Sequence, residues 1–341
     1  MQTTIITGGF GFIGANLVAE LLSRQPDTRP IVIDDCRSGS FANLVEACDR
    51  AGVGAFPGEV IAEPTAATDW EALVDDANPS AVFHLGAITD TTISDERKMI
   101  DDNTAGFDAM ILACAERSVP LVYASSAATY GTPPEVAQRL PFPESSAGKP
   151  NNIYGFSKWL MENIHARCAQ EWEADTGETP HIVGLRYFNV FGPGEARKGK
   201  MASMAYQIAT QVLAGNAPRL FEHGEQARDQ VPVEDVVDCT IAAAAQGVTS
   251  GAYNLGSGRL TSFNEIADAV REGVGISEAE CPTEYFEMPA KIRAFYQDFT
   301  CADMSRTKAG LHWSPQHDPI EATRRYAAWL AASRDMTEAP A

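Results

Sequence analysis

No apolar run in this sequence approaches the roughly twenty residues that a helix needs to cross a bilayer. The opening segment, Met1-Gln2-Thr3-Thr4-Ile5-Ile6-Thr7, also lacks the basic region, apolar stretch and small-residue cleavage site of a secretory signal. A cytoplasmic protein with no membrane partner is the expectation. Histidine is scarce, with 6 residues, and the 7 cysteines (36, 48, 114, 168, 239, 281 and 301) form no Cys-x-x-Cys. Neither a metal site nor a disulfide framework follows from that spacing, and buried free thiols are expected. Basic residues are few, 26 against 46 acidic ones, for a formal charge of -20. Such a field repels nucleic acid, and the one basic cluster, Arg197-Lys198-Gly199-Lys200, is too small to reverse it. A phosphate-bearing ligand must therefore be met by a few placed cations.

The 341 residues, 45% of them hydrophobic, suit one large domain with a smaller partner. Short apolar runs at Thr3–Thr7, Pro30–Asp34, Ala81–Leu85, Leu121–Ser125 and His181–Tyr187 read as strands covered on both faces. Between them, Ala15–Ser23, Phe107–Arg117 and Tyr154–Glu173 carry helical patterning. This alternation predicts an α/β fold, a Rossmann-type doubly wound parallel sheet with a smaller, interleaved α/β substrate domain. The expected division assigns 1–187, with roughly 230–256, to a dinucleotide-binding domain and 188–229 with 257–333 to a substrate-binding domain. Beyond Gly192-Pro193 the elements shorten, with one helix around Met201–Leu213, short strands at Val231–Val233 and Ala252–Asn254, and a last helix at Arg324–Ala332. The tail from Arg334 reads as a frayed end.

Thr7-Gly8-Gly9-Phe10-Gly11-Phe12-Ile13-Gly14 sets glycines between a predicted strand and a predicted helix. Gly8 permits a tight turn, Gly11 lets backbone approach a pyrophosphate, and Gly14 allows close packing while the helix N-terminus faces the anion. Asp34 ends the second strand, where an acid hydrogen-bonds the adenosine ribose. Asp34-Asp35 repels a 2′-phosphate and favours NAD, whereas Arg37 attracts one. Further on, Tyr154-Gly155-Phe156-Ser157-Lys158 places a phenol and an ammonium on one helical face. A phenol with an ordinary pKa of about 10 becomes a useful base when a cation stabilises its phenolate. Before it runs Ser125-Ser126-Ala127-Ala128-Thr129-Tyr130-Gly131, whose serines can bond the same substrate oxygen.

Together these motifs resemble the extended short-chain dehydrogenase/reductases that modify nucleotide sugars. The resemblance implies a triad of Ser126, Tyr154 and Lys158 and a tightly bound NAD(P). Its implied contacts are Gly8, Gly11, Phe12, Ile13, Gly14, Asp34, Asp35, Arg37, Leu85, Gly86, Ala87, Asn103 and Val190, with Tyr154 and Lys158. Phe83-His84-Leu85-Gly86-Ala87, Arg186–Pro193, Lys198-Gly199-Lys200-Met201-Ala202-Ser203, Leu220-Phe221-Glu222 and Arg293–Thr300 are similar, over almost the whole chain, to the ADP-L-glycero-D-manno-heptose 6-epimerase family. That likeness implies oxidation of the heptose C6″ carbinol to a ketone and re-reduction on the opposite face, the nicotinamide being regenerated each turnover. It assigns proton transfer to Tyr154 and Lys198, and a nucleotide-diphosphate sugar to Ser126, Asn189, Lys200, Gln207, Phe221, Glu222, Arg228 and Tyr296. It also implies a homo-oligomer.

By residue type alone Lys198 is equally a phosphate contact, Arg228 an ion-pair partner of Asp229 or Glu225, Tyr296 a packed aromatic and Asn103 a helix-interior contact. The chain departs from the family in lacking its NADP-gripping lysine near Arg37, in carrying Lys200 and Gln207 for a serine and a histidine, and in four extra residues between Ser126 and Tyr154. A UDP-hexose 4-epimerase type and a non-catalytic dinucleotide sensor stay as rivals. Ala127 and Ala128 replace the Asp-Glu pair that a 4,6-dehydratase requires.

Overall fold

The computed structural model describes residues 2–90, 95–132, 139–289 and 298–338, the side chains beyond 334 excepted. In chain order the first half runs β1 (Gln2–Thr7), α1 (Phe12–Arg24), β2 (Thr28–Ile33), α2 (Phe41–Arg50), β3 (Glu59–Ile61), α3 (Trp70–Ala77), β4 (Val82–His84), α4 (Glu96–Thr104), α5 (Phe107–Glu116), β5 (Leu121–Ser126), α6 (Ile153–Thr176) and β6 (Ile182–Tyr187). The remainder runs β7 (Asn189–Phe191), α7 (Met204–Leu213), β8 (Arg219–Phe221), β9 (Ala227–Pro232), α8 (Val233–Ala242), β10 (Gly251–Leu255), β11 (Leu260–Ser262), α9 (Phe263–Val274), β12 (Glu284–Phe286), β13 (Phe299–Thr300), α10 (Ser305–Leu311) and α11 (Pro319–Glu338).

Seven parallel strands, in the order β10-β6-β5-β4-β1-β2-β3, form the main sheet. Leu17, Val18, Leu44, Val236 and Val237 cover one face, and Val74, Phe107, Met110, Ile111 and Met161 the other. Burial on both faces accounts for the unbroken apolar runs of β5 and β6. Strand β9 pairs with β7, β11 and β13 in a second sheet, and β8 with β12 in a third. A separate core of Ile208, Val212, Phe263, Ile266, Val270 and Tyr326 joins α7, α9 and α11.

Several elements differ from expectation. Strand β3 was not anticipated, because three residues carry too little periodicity to register. Among the described residues the region beyond Gly192 holds four helices besides α7, and Val233 opens α8 instead of closing a strand. Helix α7 starts at Met204, behind a 3-10 segment at Glu195–Met201, because the Ser203 hydroxyl caps it by accepting from the Tyr206 N–H. The last helix continues to Glu338, through the tail expected to fray. Among the described residues no helix is long and apolar enough to cross a membrane.

One buried polar cluster links α6 to the end of the main sheet formed by β5, β6 and β10. Arg186 of β6 donates from Nε and Nη2 to the Glu162 carboxylate of α6, at 2.9 and 2.6 Å, and both side chains are almost fully buried. Ser125 of β5 donates to the same carboxylate at 2.5 Å. Arg186 Nη1 donates to the Tyr130 hydroxyl (3.0 Å) and the Glu144 carbonyl (2.9 Å), and Tyr130 donates to Asn254 of β10 at 2.5 Å. Removing one partner of a buried pair strands the other charge, so Arg186→Met should lower the unfolding free energy by about 3–5 kcal/mol. Urea titration checks this, and the double variant Arg186→Met/Glu162→Leu should recover most of the loss.

Candidate active site

Strand β1 ends in the left-handed turn residue Gly8 (φ 68°), and the Gly11 N–H donates back to the Gly8 carbonyl at 3.0 Å. A side chain at Gly14 would put its Cβ 2.1 Å from that carbonyl oxygen, so the glycine is required by the turn itself rather than by the sheet. No side chain caps the N-terminus of α1 and no acid lies in its first turn. That end of the helix thus presents N–H groups and a positive dipole to the crevice at the carboxyl ends of the strands, which suits a pyrophosphate. Phe12 and Gly14 are buried there and Ile13 is half-buried.

Asp34 is buried at the end of β2, where Oδ2 accepts from the Phe10 N–H and Oδ1 from the Cys36 N–H, both at 2.9 Å. It therefore braces the glycine turn, while each oxygen keeps a second lone pair for a ribose hydroxyl. Burial raises its pKa against those two bonds. Arg37 donates from Nε to Asp35 at 2.5 Å and from Nη1 to Asp102 of α4. Leu85, Gly86 and Ala87 follow β4 into the crevice. The Gly86 N–H donates to the Thr7 hydroxyl at 2.9 Å, which lies 2.8 Å from His84 Nδ1. Burial, reinforced by the Lys158 charge, drives His84 down to about 3, so it is neutral.

Asn103 was expected at the cofactor. Its amide donates to the Ile88 carbonyl (3.1 Å) and the Ser157 hydroxyl (2.9 Å), and its carbonyl accepts from the Ile88 N–H at 2.7 Å. It ties the loop after β4 to α6. Val190 is buried in β7, paired with Val231 of β9.

Tyr154 stands in the first turn of α6, which Asn152 caps by accepting from the Gly155 N–H at 2.8 Å. A Cβ at Gly155 would lie 2.5 Å from the Ala128 carbonyl, so glycine alone lets this turn close on the end of β5. The Ser126 hydroxyl lies near enough to oppose the rise in the Tyr154 pKa. Ser125, the other serine expected to reach substrate, is spent on Glu162. Lys158 is 2% exposed, and its ammonium donates to the Ala124 carbonyl at 2.8 Å. Burial brings Lys158 down to about 7. The Tyr154 phenol is raised by its own burial, opposed by the Ser126 hydroxyl. Desolvation is the first influence on both groups.

Lys198 sits with its ammonium 5.4 Å from the centre of the Phe12 ring, beside the N-terminus of α1. Burial lowers its pKa, opposed by Glu195. Glu195, 0% exposed, accepts from the Gly192 N–H (3.1 Å), the Ser203 N–H (2.6 Å) and the Ser203 hydroxyl (2.8 Å), and so fixes both ends of the loop that carries Lys198. Sequence reading missed it, although the Gly-Pro-Gly-Glu turn three residues before Lys198 was a visible signal.

The remaining substrate candidates are spread over the smaller sheets. Asn189 donates to the Asp229 carbonyl and the Thr300 hydroxyl, both at 3.1 Å, which leaves its own carbonyl for a ligand. Arg228 places its guanidinium 5.9 Å from the Phe263 ring. Asp229, one suggested partner of Arg228, instead accepts from Ser257, Gly258 and Ala302. Phe221 packs on Phe286 at 4.8 Å, and Glu222 adopts φ 52° with its N–H bonded to the Phe286 carbonyl. Lys200 is exposed, and Gln207 donates to the Ala202 carbonyl at 2.7 Å. Tyr296 lies outside the described residues.

A parallel sheet, a glycine turn at its first crossover, and a serine, a tyrosine and a buried lysine gathered at the carboxyl end of β5 define a class, the dinucleotide-binding short-chain dehydrogenase/reductases. Within it the chain belongs to the NAD dependent epimerase/dehydratase family, whose model matches residues 4–256. It is similar to the ADP-L-glycero-D-manno-heptose-6-epimerase of Helicobacter pylori, at 31% identity over 97% of this chain and 96% of that one, with a TM-score of 0.81. The UDP-glucose 4-epimerase of Thermotoga maritima (24% identity, 99% and 100% covered, TM-score 0.79) and the dTDP-glucose 4,6-dehydratase of Bacillus anthracis (18%, 98% and 98%, 0.77) share its fold. The protein is an NAD(P)-dependent nucleotide-sugar epimerase of the extended type.

Lys158 yields a pH prediction. With its folded pKa lowered to about 7, the unfolded chain holds the extra proton between that value and the ordinary lysine pKa of about 10.4. The wild-type protein should therefore gain stability relative to Lys158→Met as pH rises through this window. Urea midpoints of the dinucleotide-free proteins at pH 6, 8 and 10 check this; a constant difference would contradict the lowered pKa.

Proposed function

We propose that this enzyme inverts C6″ of ADP-glycero-manno-heptose through a transient ketone. The observation that carries the reading is Lys198, a largely desolvated amine beside the α1 N-terminus, on a different element from the Ser126–Tyr154 pair. Inversion through a ketone calls for proton transfer on two faces, and two groups from separate elements suit it. The 31% identity to the heptose epimerase over nearly the whole chain supports the same choice.

In this mechanism Ser126 holds the C6″ oxygen and Tyr154 takes its proton, with the Lys158 charge one helical turn away assisting the phenolate. A nicotinamide bound there would supply the hydride acceptor for the oxidation and the hydride donor for the re-reduction. The ketone then presents its other face, and Lys198 delivers the proton to the reforming hydroxyl. Arg228 grips the diphosphate, because a guanidinium bonds two oxygens at once. Phe221 and Glu222 lie near the nucleotide, and Asn189, Lys200, Gln207 and Tyr296 hold the rest. Gly8, Gly11, Phe12, Ile13, Gly14, Asp34, Leu85, Gly86, Ala87 and Val190 line the dinucleotide. Asp34 and Asp35 favour NAD. The proposal keeps 1–187 with roughly 230–256 for the dinucleotide and 188–229 with 257–333 for the sugar, in a cytoplasmic homo-oligomer.

Purified protein, given ADP-D-glycero-D-manno-heptose without added cofactor, should produce the L-glycero epimer by NMR. No change with dinucleotide present would overturn the heptose assignment and direct the search to UDP-hexoses. Tyr154→Phe should cut kcat by at least about 100-fold while retaining dinucleotide. Lys198→Met should fall comparably, whereas a 4-epimerase would tolerate that change.

A further inference from the structure

The loop after β2 is pinned at each step by its own carboxylates. Asp34 accepts from the Cys36 N–H at 2.9 Å, which holds Cys36 in the left-handed region (φ 59°), and Asp35 accepts from the Arg37 N–H at 3.0 Å. The Arg37 side chain is therefore launched from a fixed point at the adenosine end of the crevice. Its Nε goes to Asp35 at 2.5 Å, and its Nη1 crosses to Asp102 on α4, sixty-five residues along the chain. Lys98, one turn before Asp102, donates to the same Oδ2 atom at 2.6 Å. Burial alone would raise the pKa of Asp102, but the bonds from Lys98 and Arg37 outweigh it, and the carboxylate stays ionised.

We propose that Asp102 is a cofactor-specificity residue: by holding Arg37 between itself and Asp35, it withholds the guanidinium from a ribose 2′-phosphate and selects NAD over NADP. The inference rests on this crevice being the dinucleotide site. Three carboxylates, Asp34, Asp35 and Asp102, face two cations, Arg37 and Lys98, so the cluster carries a net negative charge before any phosphate arrives. Gripping a 2′-phosphate would require Arg37 to turn from both partners while the dianion approached the carboxylates it had left. The contacts are partly exposed and individually weak, so the preference is graded rather than absolute.

The purified protein is equilibrated with an equimolar mixture of NAD and NADP, desalted, and its bound dinucleotides are separated by chromatography. Wild type should retain mostly NAD. Asp102→Asn should shift the NADP:NAD ratio by roughly two- to fivefold toward NADP, as expected for the loss of one partly exposed ionic contact. Adding Arg37→Ala to that variant should erase the gain, because the freed guanidinium is what grips the phosphate. An unchanged ratio in Asp102→Asn overturns the proposal. So does a loss of NADP on Arg37→Ala in the wild-type background, which would make Arg37 a phosphate ligand already. If no form retains either dinucleotide, the reading of the crevice fails first.

Discussion

The ion pair between Arg186 and Glu162 sets the geometry on which the candidate site depends. Tyr154, Lys158 and Glu162 lie at successive four-residue steps on one face of α6, so whatever fixes Glu162 also fixes the phenol and the ammonium above it. Arg186 fixes it from β6 and Ser125 from β5, the residue next to Ser126. The inward face of α6 is accordingly mixed, with Ser157, Lys158, Glu162 and His165 buried beside Met161 and Cys168. A helix seated by apolar contacts alone can slide or rotate at modest cost, but one seated by a bidentate charge pair has a single register. Buried ion pairs add little net stability over a well-packed apolar substitute, so the contribution of this one is positional.

Above that frame, desolvation tunes the chemistry. Tyr154, Lys158 and Lys198 are each shifted chiefly by burial, toward the neutral form. A lysine at about 7 is able to exchange protons near neutrality, and Lys198 is shifted in the same direction. The acidic composition leaves room for a phosphate-bearing ligand, because the uncapped N–H groups of α1 present a local positive end without a general positive field. Glu195 and Asn103 act behind this layer. One holds the Lys198 loop and the other the loop after β4, and both are consumed by backbone contacts.

The main strands, the glycine turn and the Tyr154/Lys158 spacing were legible in the sequence because each is local: period-two and period-3.6 burial and a three-glycine turn express themselves over fewer than thirty residues. Strand β3 and helices α8, α9 and α10 were not, since short elements and mixed faces leave no clear period. The roles of single polar residues were the least legible. The groups that occupy the amide of Asn103, Ile88 and Ser157, lie 15 and 54 residues away.

The sequence by itself determined the doubly wound sheet, the glycine turn at the first crossover and the phenol–ammonium pair on one helical face. Only the tertiary structure decided that Ser126 and not Ser125 meets Tyr154, that Arg37 is held by Asp102, and that Lys198 lies against the first turn of α1. The reason is physical. Burial periodicity is written along the chain, whereas the partner of a polar group is chosen by whichever donor or acceptor the folded backbone brings within three ångströms, and that choice is non-local.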